Sequence, residues 1–353
     1  MRRPAVPVDG RAVARAGPGP GPGDVPRRPE WRPWPAAQLP AFALSSAWPD
    51  AARRLTAGGR ARDVRAGLSG LIISTRPRQW LKNLLVLTAP VAAGELLPPA
   101  GLAHTVLAVA AFICASAGCY LFNDVRDRHA DAGHPSKASR PIAAGIVSVR
   151  LAVLVGSGLC LGAVLLALTV PGRLAALVGL YEAVTIAYGL GLKAVPRLEL
   201  AAVASGFVLR LLAGAAAAAV PVSPWLVAAT GAAALHVVCS KRSSELRTLG
   251  ARAVRHRRSL RAYTPAGLRT AGQLTAAIAV ASYLGWVCWR PTGPQFAAAV
   301  TSLVALAVLF GRWMRRTEAG GTGAPEDVVA HDRVVRGAAV CWALAFGLSV
   351  LHA

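Results

Sequence analysis

The sequence predicts an all-α polytopic membrane protein with about nine transmembrane helices, and three observations predict it. First, 54% of the 353 residues are hydrophobic and mean hydropathy is +0.47. That is too apolar for an ordinary soluble domain. Second, apolar runs recur at about 84–98, 102–122, 149–170, 173–190, 198–220, 223–240, 271–289, 295–311 and 334–351. Third, the links between the runs alternate in charge. Those near 98–102, 170–173, 220–223 and 290–294 are nearly uncharged, with Arg173 and Arg290 their only basic residues. The intervening links carry Arg126, Arg128, Lys137, Arg140 and Arg150, then Lys193 and Arg197, then Lys241 through Arg269, then Arg312 through Arg336. Basic loops stay on the cytoplasmic face. Nine spans of a plasma-membrane protein therefore put the N-terminus and the basic loops in the cytoplasm, and the C-terminus outside.

Taken in order, residues 1–68 are rich in Pro, Gly, Ala and Arg and include the run Gly17 to Gly23 of alternating Gly and Pro. Such a composition reads as a disordered basic tail, leaving 69–353 as the membrane domain. No cleavable signal peptide is expected, because the first 65 residues lack a suitable apolar core. The span at 84–98 is short and interrupted by Pro90. The net charge of +23 suits anionic lipid or anionic substrates. It is dispersed between apolar spans, so nucleic acid is not expected as a partner. The six cysteines (Cys114, Cys119, Cys160, Cys239, Cys288 and Cys341) all fall in apolar runs. They read as small buried hydrophobes, with neither a disulfide framework nor a metal pattern.

The chemistry concentrates after the second span. Asn123, Asp124, Asp127 and Asp131 follow Phe122, and Lys137 and Arg140 come next. If the helix continues, Asp124, Asp127 and Asp131 are spaced i, i+3, i+7 and share a face, with Asn123 on its edge. Three carboxylates within two turns repel one another. A hard divalent cation with oxygen ligands relieves that repulsion, and Mg²⁺ bound to a phosphorylated substrate is the usual case. The trailing cations suit a substrate with several phosphates. A solvated acidic helix end is the bland alternative, and it is a poor fit to so basic a chain.

Three other groups fall on the same side. Arg76, Gln79, Lys82 and Asn83 lead into the first span, together with Arg78 and Trp80, which an interfacial anchor would explain. Glu199 and Arg210 lie in the fifth span, eleven residues apart and on one face. An ionisable residue inside a span is a functional candidate by default, and the alternative is an interhelical ion pair. Lys241, Arg242 and Glu245 end the sixth span, where Lys241 and Glu245 can pair at i, i+4. The run Arg252 to Arg261 reads as a lipid-facing basic patch, and His134 as a loop histidine.

The motif Asn123-Asp124-x-x-Asp127-x-x-x-Asp131, followed by Pro135-x-Lys137-x-x-Arg140-Pro141, resembles the first signature of the UbiA-type prenyltransferase superfamily. The resemblance implies an all-α membrane fold of about nine helices around a central cavity. Further segments resemble one branch of it: Arg76 to Asn83, Tyr120 to Asp124, Arg140 to Gly145, Ala204 to Arg210, Lys241 to Leu246, and Gly323 to Glu326. That branch transfers a 5-phosphoribosyl group from phosphoribosyl pyrophosphate to a polyprenyl (decaprenyl) phosphate, releases pyrophosphate, and supplies arabinose for the cell wall. The resemblance covers about residues 70–353. The second Asp-x-x-x-Asp motif of typical members is missing. Lys241, Arg242 and Glu245 stand in its place, and Glu199 stands where the branch often has Asp.

The implied enzyme is Mg²⁺-dependent. Asp124 and Asp127, supported by Asn123 and Asp131, are expected to hold the metal against the donor's pyrophosphate. Lys82, Lys137, Arg140, Lys241 and Arg242 are expected on the donor's phosphates, and Arg210 on the acceptor phosphate. Arg76, Gln79, Asn83, Tyr120, Lys193, Glu199 and Glu245 complete the expected substrate-binding set. A homo-oligomer is compatible with all of this. The alternative within the fold is a prenyltransferase using a prenyl diphosphate and an aromatic or quinone-precursor acceptor, against which the missing second motif counts. A transporter would share the spans and intramembrane charges, but the acidic motif with its trailing cations fits phosphate chemistry better.

Overall fold

A computed structural model describes residues 60–94, 99–133, 137–250, 253, 257–289, 294–318, 328 and 331–350. Among them no strand occurs. Ten α-helices follow in order: α1 (Arg60–Ser74), α2 (Thr88–Ala92), α3 (Pro99–Ala132), α4 (Val149–Leu168), α5 (Leu174–Leu190), α6 (Leu198–Ala217), α7 (Pro224–Leu249), α8 (Pro265–Cys288), α9 (Pro294–Glu318) and α10 (Arg333–Leu348). By length and composition, five of these (in α3, α4, α6, α8 and α9) can cross a membrane, and Leu174–Leu190 is a shorter apolar helix.

The helix starts are written locally. Proline opens α3, α7, α8 and α9, where its missing N–H is no loss. Ser148 and Thr264 cap α4 and α8, accepting from Leu151 N at 3.2 Å and Gly267 N at 3.0 Å. Asp332 caps α10 through Val334 and Val335. Each cap satisfies amide donors that the helix itself leaves open.

Three expectations need correction. Cys288 and Cys341 are exposed on the outside of their helices rather than buried. The segment read as tail to residue 68 includes the first turns of α1, which runs from Arg60 and seats Gly70 against Pro141 and Val147. The first span is also not a regular helix over 84–98. Residues Pro77–Leu87 form a 3-10 helix, followed by the short α2, and 95–98 lie outside the described residues. Pro90 removes a helical donor. Gly214 of α6 brings the Val86 carbonyl into a contact that no side chain would permit. The tighter helix rises about 2.0 Å per residue against about 1.5 Å. Residues 77–92 thus still extend about 30 Å, close to a hydrocarbon core.

The most extensive packing is α7 on α8, α3 on α4 and α9 on α10. At the α3–α4 crossing, a Cβ on Gly118 would lie 2.7 Å from the Gly156 carbonyl, so the backbones touch directly. Phe112, Leu174, Val178, Tyr181 and Leu209 fill one core, and Leu211, Leu226, Tyr283, Trp286 and Phe346 another. Leu154, Leu161, Leu165 and Leu168 of α4 point outward, as leucines facing lipid tails do. Ion pairs fix which ends lie together. Lys193 after α5 reaches Asp127 at the end of α3, Arg242 of α7 reaches Glu199 at the start of α6, and Arg316 of α9 reaches Asp332 before α10. Arg247 at the end of α7 also donates to the Thr317 carbonyl at the end of α9, so the basic links share one end of the bundle, as their alternation predicted.

Candidate active site

The last two turns of α3 carry the acidic motif into this basic end. Asp124 and Asp131 are both 4% exposed, and one guanidinium serves both: Arg140 Nη1 lies 3.2 Å from Asp124 and 2.6 Å from Asp131. The i, i+7 reading of a common face is therefore correct for this pair. Arg76 adds a second contact to Asp124 at 2.5 Å. It does so from φ 55°, ψ 64°, a left-handed conformation that a non-glycine residue keeps only when its surroundings fix it. Asp127 is turned to the edge, where Lys193 Nζ donates to both its oxygens at 2.6 and 2.9 Å. Asn123 faces α5, with Oδ1 against Gly189. Three links thus deliver three cations to three carboxylates. Among the described residues, Lys137 joins through the turn in which Arg140 N donates to its carbonyl at 2.9 Å.

A polar ladder runs inward from there. The Arg76 guanidinium stands 4.7 Å above the Tyr120 ring. Tyr120 donates to Gln79 Oε1 at 2.8 Å, and Lys82 approaches the same oxygen at 3.5 Å. Asn83, wholly buried, donates to Ser116 at 3.4 Å and accepts from Arg210 Nε at 2.9 Å. Arg210 also donates to the Gly206 carbonyl at 2.6 Å and to Tyr181 at 3.0 Å, and lies over the Tyr181 ring. These bonds engage three of its five donors.

The alternative of an interhelical ion pair holds for Glu199, which pairs with Arg242 of α7, while Arg210 is satisfied by neutral groups. Glu199 is fully buried and is bound by two other arginines: Arg242 Nε at 3.1 and 3.0 Å, and Arg257 Nη1 at 2.9 Å. Tyr188 Oη accepts from Arg257 at 2.9 Å and from Arg242 at 3.3 Å, and Glu245 takes Arg242 at 2.9 Å. Two carboxylates and two guanidiniums thus close into a neutral cluster. Lys241 lies on an exposed face of α7 while Arg242 is buried. Reading Arg252 to Arg261 as a lipid-facing patch is wrong for Arg257, which points inward because an uncompensated Glu199 would be costly there. His134 and the Gly323 to Glu326 segment lie outside the described residues.

Tyr181, Tyr188, Ser116 and Arg257 were missed. The two tyrosines sit i, i+7 on α5, a stripe that could have marked a polar face. Nothing in its run of basic neighbours distinguishes Arg257.

Below the polar end lies an apolar cavity of about 890 Å³, mouth included, lined by Leu85, Phe207, Leu226, Val237, Tyr283 and Trp342 among others. Leu85 and Phe207 of its lining lie within one turn of Asn83 and Arg210 in the chain.

The model of the UbiA prenyltransferase family matches residues 84–325. The decaprenyl-phosphate phosphoribosyltransferase of Mycolicibacterium smegmatis is 34% identical over 296 residues, covering 80% of this chain and 93% of that protein. Its counterpart in Corynebacterium glutamicum is 33% identical over 292 residues, covering 80% and 86%. Among solved structures, a UbiA homolog from Archaeoglobus fulgidus bound to GPP and Mg²⁺ superposes with TM-score 0.63 at 17% identity, covering 80% of this chain and all of that one. An apo UbiA homolog from Aeropyrum pernix gives TM-score 0.58 at 17% identity, covering 76% and 97%.

Proposed function

The chain belongs to the UbiA prenyltransferase family, and from that premise we propose that it is a multi-pass membrane transferase. It moves a 5-phosphoribosyl group from phosphoribosyl pyrophosphate to a polyprenyl (decaprenyl) phosphate, releases pyrophosphate, and feeds cell-wall arabinan synthesis. The observation that carries this reading is the charge layout. An acidic helix end matched by Arg76, Arg140 and Lys193 shares the basic end of the bundle with the exposed Lys241 and with Arg242, which Glu199 and Glu245 hold in place, and an apolar cavity lies among the helices. A donor with a pyrophosphate and a separate 5-phosphate needs two anion seats. A prenyl diphosphate has one charged end.

Carboxylates and an amide oxygen are the donor chemistry of a hard divalent cation, so Asn123, Asp124, Asp127 and Asp131 fit Mg²⁺, although no three acidic, His or Cys residues are already drawn into one ligand group among the described residues. Bound there, Mg²⁺ offsets charge on the pyrophosphate leaving group. Arg76, Arg140 and Lys193 then take donor phosphates in exchange for their present carboxylate partners, Lys82 joins them from its place at the Gln79 amide oxygen, and Gln79, Tyr120 and Asn83 orient the ribosyl side. Arg242 and Lys241 border the 5-phosphate seat, with Glu199 and Glu245 holding Arg242 in place. The acceptor's isoprenoid lies in the apolar cavity, and its phosphate reaches the two remaining donors of Arg210. That phosphate oxygen is already anionic, so attack on the ribosyl carbon needs no strong general base. Charge stabilisation and orientation carry the reaction.

Purified protein incubated with Mg²⁺, phosphoribosyl pyrophosphate and a polyprenyl phosphate should release pyrophosphate. Consumption of a prenyl diphosphate, with phosphoribosyl pyrophosphate ignored, would replace this reading with the aromatic prenyltransferase one. We place the protein in the plasma membrane with its N-terminus and active end cytoplasmic and its C-terminus outside, on the alternation of basic links. A cysteine in the 250–260 link should then be labelled only from the cytoplasm, and one replacing Ala353 only from outside. Labelling of both from one face would overturn that topology.

A further inference from the structure

A second face of α7 takes no part in the site above. His236, Ser240, Ser243 and Arg247 are spaced i, i+4, i+7 and i+11, a single stripe roughly opposite Arg242 and Glu245. With Arg269 and Gln273 of α8, and with part of α9, they line a recess whose enclosed part is about 20 Å³, room for one small polar group such as a hydroxyl. The floor of the recess is His236, which is wholly buried. Its Nδ1 lies 2.8 Å from the Gly272 carbonyl. A carbonyl only accepts, so Nδ1 carries the proton and Nε2 presents a lone pair. No protein atom meets that lone pair. A buried acceptor without a partner, in a recess walled by serines, calls for an incoming O–H donor.

The mouth has the opposite character. Arg269 is exposed there. Arg247 anchors one Nη2 proton on the Thr317 carbonyl, leaving further guanidinium donors for an anion. Both arginines stand at the basic end of the bundle, at the level where a headgroup layer would lie.

We infer that this recess binds a phosphate group carrying or adjoining a hydroxyl, with the phosphate oxygens on Arg247 and Arg269 and the hydroxyl donating to His236 Nε2. A basic recess between spanning helices near the membrane surface is suited to an anionic lipid headgroup. A phosphatidylglycerol headgroup offers a phosphate and hydroxyls together. Inorganic phosphate offers the same pair through its P–O⁻ and P–OH groups. The site lies across α7 from Arg242, so it is separate from the proposed donor and acceptor seats.

The test uses the full-length protein in neutral detergent, titrated separately with phosphatidylglycerol, phosphatidylcholine and inorganic phosphate, with retained ligand read by native mass spectrometry. Phosphatidylglycerol should be retained about ten-fold more strongly than phosphatidylcholine, the effect of one or two charge-assisted bonds. Arg269→Gln, at an exposed position, should remove most of that preference, as should His236→Phe, which fills the recess. Lys241→Gln, on another face of the same helix, should keep it. Binding of inorganic phosphate with the same sensitivity to the variants, and none for phosphatidylglycerol, would make a free phosphate the occupant. The inference fails if neither anionic probe outbinds phosphatidylcholine. It also fails if the preference survives Arg269→Gln.

Discussion

Two charged regions meet at the basic end of this bundle, and they are built on opposite plans. At the end of α3, each carboxylate takes its cation from a separate link: Arg76 before the 3-10 segment, Arg140 between α3 and α4, and Lys193 between α5 and α6. These cations keep 26–30% of their side chains exposed. Around Glu199, by contrast, Arg242 is 4% exposed and the carboxylate not at all, with Arg257 (23%) and Glu245 (29%) on the rim. Tyr188 and Glu245 fill the remaining positions. A cation that keeps about a quarter of its side chain in solvent can swing to another anion at modest cost, and of these pairs only Asp127–Lys193 is exposed on both partners. A buried, closed set cannot lose a member cheaply. The first region is thus built to trade its partners for substrate, the second to hold shape.

The comparison can be broken in a definite order. The largest effect is expected from Asp124→Ala, which should lower turnover at least about a hundred-fold, as loss of a group stabilising developing charge does. Pyrophosphate release in membranes measures it, and activity within a few-fold of the parent would remove Asp124 from the metal assignment. Asp131→Ala should be milder. Next comes Glu199→Ala, which strands Arg242 and Arg257 and should cost about 3–5 kcal/mol of stability. A thermal unfolding midpoint in detergent close to the parent's would show that the cluster is not a structural lock. Asp127→Asn sharpens the contrast. It should cut activity strongly while changing stability by no more than about 1 kcal/mol, since the Lys193 pair is one-third exposed. A fall in melting temperature as large as that of Glu199→Ala would erase the distinction between the two regions. The smallest effect is expected at Lys241, exposed on α7. Lys241→Ala should raise KM for phosphoribosyl pyrophosphate by at most about ten-fold and leave that for the lipid acceptor unchanged. An equal rise for both substrates would move Lys241 out of the donor seat.

How much of this was legible in the sequence follows from range. Properties of one helix were readable: the apolar length of α3, α4 and α6, and the common face of Asp124 and Asp131, which a single arginine now spans. The alternation of basic links placed the right helix ends together. Partnerships between helices were not readable. Periodicity put Glu199 and Arg210 on one face, yet each is satisfied from elsewhere, by Arg242 and Arg257 for one and by Asn83 and Tyr181 for the other. Nothing local predicts such choices, because they depend on which surfaces the packing of α5, α6 and α7 brings within 3 Å. The 3-10 segment escaped for the same reason, since its geometry answers to Gly214 of α6.

That segment has a consequence for how the chain can vary in length. In a 3-10 helix, residues three apart stand in line, as Gln79 and Lys82 do. Inserting one residue between Arg76 and Asn83 would swing everything downstream by about 120°, carrying the Asn83 amide away from Arg210 and the Val86 carbonyl away from Gly214. Inserting three would restore the direction but displace both by about 6 Å. The entry to the bundle therefore tolerates changes of residue far better than changes of count, and a single-codon insertion there should be more damaging than most substitutions at the same positions.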